Sequence, residues 1–397
     1  MTDMRLIGLL ASLLALLSAG CASQPMPERT MPREPARIPM RLQGAHPIVE
    51  ARVNGQTLRL ILDSGADQNV LSAQAVARLG LATSRQTVSG QGAAGAFGAV
   101  PWVDLGAVGI GDVRLRDQVA FVIPLPEETN ADGILGLPLF ARFTATLDYA
   151  AGELSLQAPR AFQPPADLAA LPLRQEGGKL LLRATVAGVD GWYALDTGAG
   201  NAVTMFTPTV ERMHLRAAFP QRLRMMTGIS AGGATRGDLV RVPEVRLGPY
   251  RLQRVVVELS LAEAGYFAHP PADAQGNLGG ELWRRFTTTI DLPGGRLFLR
   301  PNGAYAEPFA ATRSGLVAYR QAGRLTVADV VAASPAATAG FVVGDVIVAV
   351  NGIQASAWTS SAFRDLLSGA PGTSIAFSVV GKEGKERPVT MVLKDLL

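Results

Sequence analysis

The sequence predicts a mainly β protein in which two related β units are followed by a third unit of different character. Three observations carry this prediction. Leu62-Asp63-Ser64-Gly65-Ala66 returns 133 residues later as Leu195-Asp196-Thr197-Gly198-Ala199, each copy closing a short apolar run. The Ile134-Leu135-Gly136 stretch, continued by Leu139-Phe140 and Arg142-Phe143-Thr144, returns as Asn277-Leu278-Gly279, Leu282-Trp283 and Arg285-Phe286-Thr287. Beyond residue 312 the Gly, Pro and apolar spacing changes and nothing of the repeat remains. Self-similarity at a fixed offset marks a duplicated structural unit. The offset grows from 133 to 143 only between matched blocks, so the second unit gains its extra residues in loops.

Strand, Asp-Ser/Thr-Gly-Ala and a following apolar-apolar-Gly strand, twice in one chain, resemble the retropepsin-like aspartic proteases. The resemblance implies two β-barrel lobes related by a pseudo-twofold axis, spanning residues 37–160 and 173–302. It also implies that Asp63 and Asp196 meet at the junction as a catalytic dyad. Ser64 and Thr197 would then bond across the junction, Gly65 and Gly198 would let backbone N–H groups approach the carboxylates, and Ala66 and Ala199 would keep the loops small beside the substrate. Asp67 would contact substrate backbone, and its counterpart Gly200 would not.

Length and composition agree with a folded protein of two or three domains: 397 residues, 48% apolar and 18% charged. The net charge of +4 is spread without a Lys/Arg cluster or an aromatic platform, which argues against a nucleic-acid partner. The three histidines lie far apart and no His-Glu-x-x-His occurs, so a zinc hydrolase is not expected. No metal and no other cofactor is implied.

Taken in order, residues 1–20 read as a signal peptide. Arg5 precedes the apolar run Leu6–Leu17, which is short for a membrane span, and Ser18-Ala19-Gly20 precede the single cysteine. Small residues before Cys21 resemble a bacterial lipoprotein box, with Cys21 as the lipidated first residue; the alternative is a plain secretory signal. Ala22, which is not Asp, then points to the outer membrane, with the protein facing the periplasm. Residues 21–36, rich in proline, should form an extended tether. Ile48–Val53, Asn54-Gly55 and Leu58–Leu62 read as strand, turn and strand, repeated by Leu180–Val186, a turn around Gly188–Gly191, and Trp192–Leu195.

A short helix is expected over Ala73–Leu79. The Gly-rich stretches Ser89–Gly95 and Thr227–Gly233 correspond to flaps in the resemblance, so Gly90, Gly92, Gly228 and Ile229 are candidate substrate contacts. Gly90-x-Gly92-x-x-Gly95 also spells a nucleotide fingerprint, but no buried strand precedes it and Gly98 and Pro101 break any helix after it. Residues 161–172 and 303–312 read as linkers.

Residues 313–397 resemble a bacterial-type PDZ domain, through Ser314-Gly315-Leu316-Val317, Ser334-Pro335-Ala336-Ala337 and Gly344-Asp345-Val346-Ile347. The resemblance implies a peptide added as a strand beside an amphipathic helix at Thr359–Leu367, with its carboxylate received by Gly315, Leu316 and Val317. The expected activity is that of an aspartic endopeptidase whose catalytic unit is monomeric, acting on protein or peptide substrates recruited or gated by the PDZ domain. The competing expectation is a non-catalytic, peptide-binding lipoprotein with a protease-shaped body.

Overall fold

Alternating burial along the strands builds each lobe. In the strand Gln56–Leu62, Leu58, Leu60 and Leu62 are fully or almost fully buried, and Tyr193 and Leu195 play that part in the second-lobe strand Val189–Leu195. In the computed structural model, which describes residues 32–271 and 273–397, both lobes share one continuous apolar core. The signal segment, Cys21 and most of the tether fall outside the described residues.

Each lobe begins with a hairpin. His46–Val53 pairs with Gln56–Leu62 through Asn54-Gly55, whose φ values of 48° and 75° suit a tight turn between twisted strands. The second lobe repeats this with Lys179–Val186 and Val189–Leu195. Its turn is Ala187-Gly188, not the longer Gly188–Gly191 expected, because Val186 and Val189 pair directly and Ala187 takes the φ of 50° that Asn54 takes in the first lobe. The helix Ala73–Leu79 forms as expected, with Ser72 accepting from the Ala75 amide and Gly80 closing the end at a φ of 65°.

The lobes are joined by a sheet that runs across the junction. Thr144–Asp148 of the first lobe lies antiparallel to Phe286–Asp291 of the second, and the Thr146 and Thr289 hydroxyls lie 2.9 Å apart. Glu153–Gln157 extends this sheet on one side and Arg296–Pro301 on the other. Its outermost strand on the first-lobe side is the start of Ala36–Gln43, where Ala36–Pro39 pairs with Glu153–Leu156. The tether thus gives way to strand at Ala36. Leu171–Glu176 opens the second lobe by pairing with Arg296-Leu297 at the far edge.

Arg285, fully buried, holds the chain leaving the second lobe. It donates to the carbonyls of Glu281, Ala304, Glu307 and Pro308, and its guanidinium lies 3.6 Å from the Phe309 ring centroid. The last unit has its own core and sheet, from Leu316–Gln321 through Arg324–Val330, Val346–Val350 and Ser374–Val380 to Glu386–Val392. Its helix Ser360–Leu367 is capped by Thr359.

This unit spans the mouth of the cleft between the lobes. The Ala322 and Gly323 amides, in the turn after Leu316–Gln321, donate to the two oxygens of first-lobe Glu127 at 3.0 and 3.1 Å. Asp329 accepts from the Met226 amide at 2.5 Å and from Arg236 at 3.0 Å, both in the second-lobe flap hairpin.

Candidate active site

The strands Gln56–Leu62 and Val189–Leu195 end at the cleft floor, and each is held there by a parallel neighbour. Leu60–Leu62 pairs with Gly133–Leu135, and Tyr193–Leu195 with Gly276–Leu278. The Asp63 amide donates to the Leu135 carbonyl at 2.9 Å, and the Asp196 amide to that of Leu278 at 3.0 Å. The chain then turns back on its own carboxylate. Gly65 and Ala66 amides donate to Asp63 Oδ1 at 2.8 and 3.1 Å, while Gly198 and Ala199 amides both reach Asp196 Oδ1 at 2.9 Å.

Ser64 and Thr197, both fully buried, lock the two loops together. The Ser64 amide donates to Thr197 Oγ1 and the Thr197 amide to Ser64 Oγ, at 3.0 and 3.1 Å. Each hydroxyl then donates to the carbonyl before the other Asp: Ser64 Oγ to Leu195 at 2.9 Å, Thr197 Oγ1 to Leu62 at 2.7 Å. Hydroxyls suit this role because each donates and accepts at once. The glycines are required by the same closeness. A Cβ on Gly65 would stand 2.5 Å from Asp196 Cγ, and one on Gly198 only 2.1 Å from Asp63 Cγ. The obstacle is therefore the opposite carboxylate, more than the local amides.

Asp63 and Asp196 face each other across the loop junction, each beside the glycine of the other's loop, and the Asp63 carboxyl is pushed up to about 8. Loss of water is the largest cause, followed by the Asp196 charge, with Lys179 pulling the other way. Two acids in one water-poor site share a single proton. The partners of the two acids differ: Asn277 Nδ2 donates to Asp196 Oδ2 at 2.7 Å. Sequence comparison of the repeats exposes the Ile134-to-Asn277 change but not this contact.

Other lining residues carry no sequence motif. Lys179 Nζ donates to the Gly65 carbonyl and lies 4.8 Å from the Tyr266 ring centroid. Its counterpart in the first lobe is His46, whose ring packs at Gly200, just after the 196–199 loop. Burial lowers the His46 pKa, against the effect of its contact with the Gln43 carbonyl. Glu258, buried behind the second loop, accepts from Thr227, Thr204 and Asn201, and burial raises its pKa despite those three donors.

The flap hairpins arch over this floor. Gly90 and Gly92 belong to the first, Gly228 and Ile229 to the second, and all four line the same cavity as Asp63, Asp67 and Asp196. That cavity has a volume of about 1320 Å³. The flap tips meet backbone to backbone, since a Cβ on Gly92 would stand 2.5 Å from the Gly232 nitrogen. Tyr266 and Phe267 amides donate to the Gly92 and Ala93 carbonyls, tying the first flap to the second lobe. Gly228-Ile229-Ser230-Ala231-Gly232 also spells Gly-x-Ser-x-Gly, the serine-hydrolase pattern. Here it forms a hairpin tip, not a strand-to-helix elbow, and Ser230 Oγ donates to the Gly233 carbonyl.

Of the PDZ loop, Leu316 and Val317 line the cavity. The Gly315 and Leu316 amides are already engaged, by Thr312 Oγ1 at 3.2 Å and Ser314 Oγ at 3.1 Å. Among the described residues no group of three or more His, Cys, Asp or Glu side chains is placed to hold a metal ion.

Residues 49–139 and 182–281 match the aspartyl protease family model, once in each lobe, and residues 326–380 match a PDZ domain model. The chain thus carries two aspartyl protease-like repeats and a C-terminal PDZ domain. Among solved structures, an aspartic proteinase from Irpex lacteus is similar at 12% identity and a TM-score of 0.43, over 69% of this chain and 99% of that one. No curated protein sequence matches. Both segments matched by the aspartyl protease model contain the Asp-Ser/Thr-Gly loop and the strand that supports it.

Proposed function

We propose that this chain is an aspartic endopeptidase that hydrolyses peptide bonds with a water activated between Asp63 and Asp196. The observation that carries the reading is the pair of carboxylates itself: facing each other, each fed by two loop amides, at the floor of a cleft of about 1320 Å³. In this reading Asp196, supported by Asn277, is the ionised member and takes a proton from the water. The water oxygen attacks the scissile carbonyl carbon while protonated Asp63 donates to the carbonyl oxygen. Collapse returns that proton to Asp63, and the proton on Asp196 passes to the departing amine, so the dyad ends as it began.

The signal-like segment and Cys21 support a lipid-anchored, periplasm-facing protein, and the self-contained pair of loops supports a monomeric catalytic unit. The PDZ domain, hydrogen-bonded to one lobe and to the opposite flap, supports recruitment or gating of substrate. The test is incubation of the soluble form with mixed peptides from acidic to neutral pH, with and without a pepstatin-like inhibitor. Cleavage that the inhibitor stops, and that Asp63→Asn and Asp196→Asn each abolish without unfolding the protein, is the expected result. Peptide binding with no cleavage at any pH would leave the protein a clamp.

A further inference from the structure

The strand Leu316–Gln321 is at the edge of the PDZ sheet: it pairs with Arg324–Val330, and among the described residues with no other strand. Its open edge and the helix Ser360–Leu367 form the groove in which a PDZ domain adds a peptide as an extra strand. In this protein that groove is not on a separate face. Ala318, Ser361 and Phe363 line the same continuous cavity as Asp63 and Asp196. The wall between the two is thin: Arg364 of the helix packs on Gly44, and two residues later the His46 ring packs on Gly200, just after the 196–199 loop.

The end of the groove that would receive a free carboxylate is engaged from within. Thr312 and Ser314 hydroxyls accept from the Gly315 and Leu316 amides. Gly315 is packed so closely that a Cβ there would stand 2.3 Å from that of Ser334. A C-terminal carboxylate entering here would have to displace these two internal hydrogen bonds.

We propose that the open edge of Leu316–Gln321 is a distal subsite of the catalytic cleft, taking an internal, extended, partly apolar stretch of the same polypeptide that the dyad cuts, and not a free C-terminus. The proposal rests on the endopeptidase reading for the word "cuts" alone; binding is independent of it. Backbone pairing at the edge tolerates many sequences, while Phe363 and Ala318 favour apolar side chains at alternate positions. The ligand class is therefore unfolded or extended protein, not a tail motif.

Binding is measured on full-length protein carrying Asp196→Asn, so that nothing is cut, with three probes. These are a long extended peptide of alternating apolar and polar residues, the same peptide amidated at its C-terminus, and a short peptide that fills the cleft alone. Ser361→Trp, which fills the groove, is expected to weaken the long peptide about tenfold and leave the short one within about twofold, the short one reporting that the cleft is intact. Amidation is expected to change nothing. A photoreactive side chain at position 361 gives a second readout that does not depend on the tryptophan being tolerated. It should link to the middle of the long peptide, as mapped by mass spectrometry. Loss of binding on amidation, linking only to the terminal residue, or an unchanged affinity in Ser361→Trp would each overturn the proposal. In the protein with both Asp residues intact, failure to cleave any probe would instead defeat the endopeptidase reading and leave the binding result standing.

Discussion

Asn277 donates its side-chain amide to Asp196 at 2.7 Å, and Ile134, at the equivalent place in the other lobe, has no donor for Asp63. A hydrogen bond to a carboxylate favours its charged form. Replacing Asn277 with isoleucine makes the two supports alike. The expected outcome is a kcat/KM lower by about tenfold in a protein that still folds, since the carboxylate loses a side-chain donor. An unchanged kcat/KM would show that Asn277 only packs.

The alkaline limb of the pH profile has a separate origin. With Asp63 pushed up to about 8, the shared proton is held below that pH and lost above it. Activity is expected to fall as pH rises through about 8, with an apparent pKa that belongs to the pair and not to Asp63 alone. Initial rates on one peptide from pH 4 to pH 10 would show it; a flat profile to pH 10 contradicts it.

Glu258 is buried with three donors and no cation, and burial raises its pKa. A group raised in the folded state stabilises fully below its unfolded pKa and loses that contribution as pH rises through the folded value. The wild-type protein should therefore lose stability, relative to Glu258→Gln, between the ordinary Glu range and higher pH. Urea midpoints of the two proteins at several pH values test this; parallel curves would refute it.

Asp238, fully buried on the second flap strand, accepts from Arg216 and Arg224. Burial acts to raise its pKa, but hydrogen bonds and charge from Arg224 and Arg216 outweigh it, leaving the pKa lowered. A lowered group gives stability above its unfolded pKa and loses it as pH falls through the folded one. Asp238→Asn is expected to cost about 2 kcal/mol at neutral pH, at the low end for a buried pair because Arg224 is largely exposed. The difference should shrink in acid. Chemical denaturation at pH 7 and pH 3 measures both.

The repeat made the dyad, its Ser64–Thr197 lock and the hairpins legible, because each depends on residues close in sequence and present twice. Ala36–Gln43 was less legible: Pro35 and Pro39 disguise it as tether, yet a proline is tolerated at a sheet edge. Lys179 carries no motif and reaches Gly65 only because the lobes close on each other. The docking of the PDZ domain was hidden for another reason. Glu127 binds the backbone amides of Ala322 and Gly323, and such amides leave no trace in residue identity.

Two identical halves would present the same groups to a chain laid across them in either direction. Here Lys179 stands where the first half has His46, Asn277 where it has Ile134, and Gly200 where it has Asp67. Because the two halves of one chain differ, the endopeptidase reading implies a cleft with a head and a tail, expected to distinguish a polypeptide laid N-to-C from its reverse.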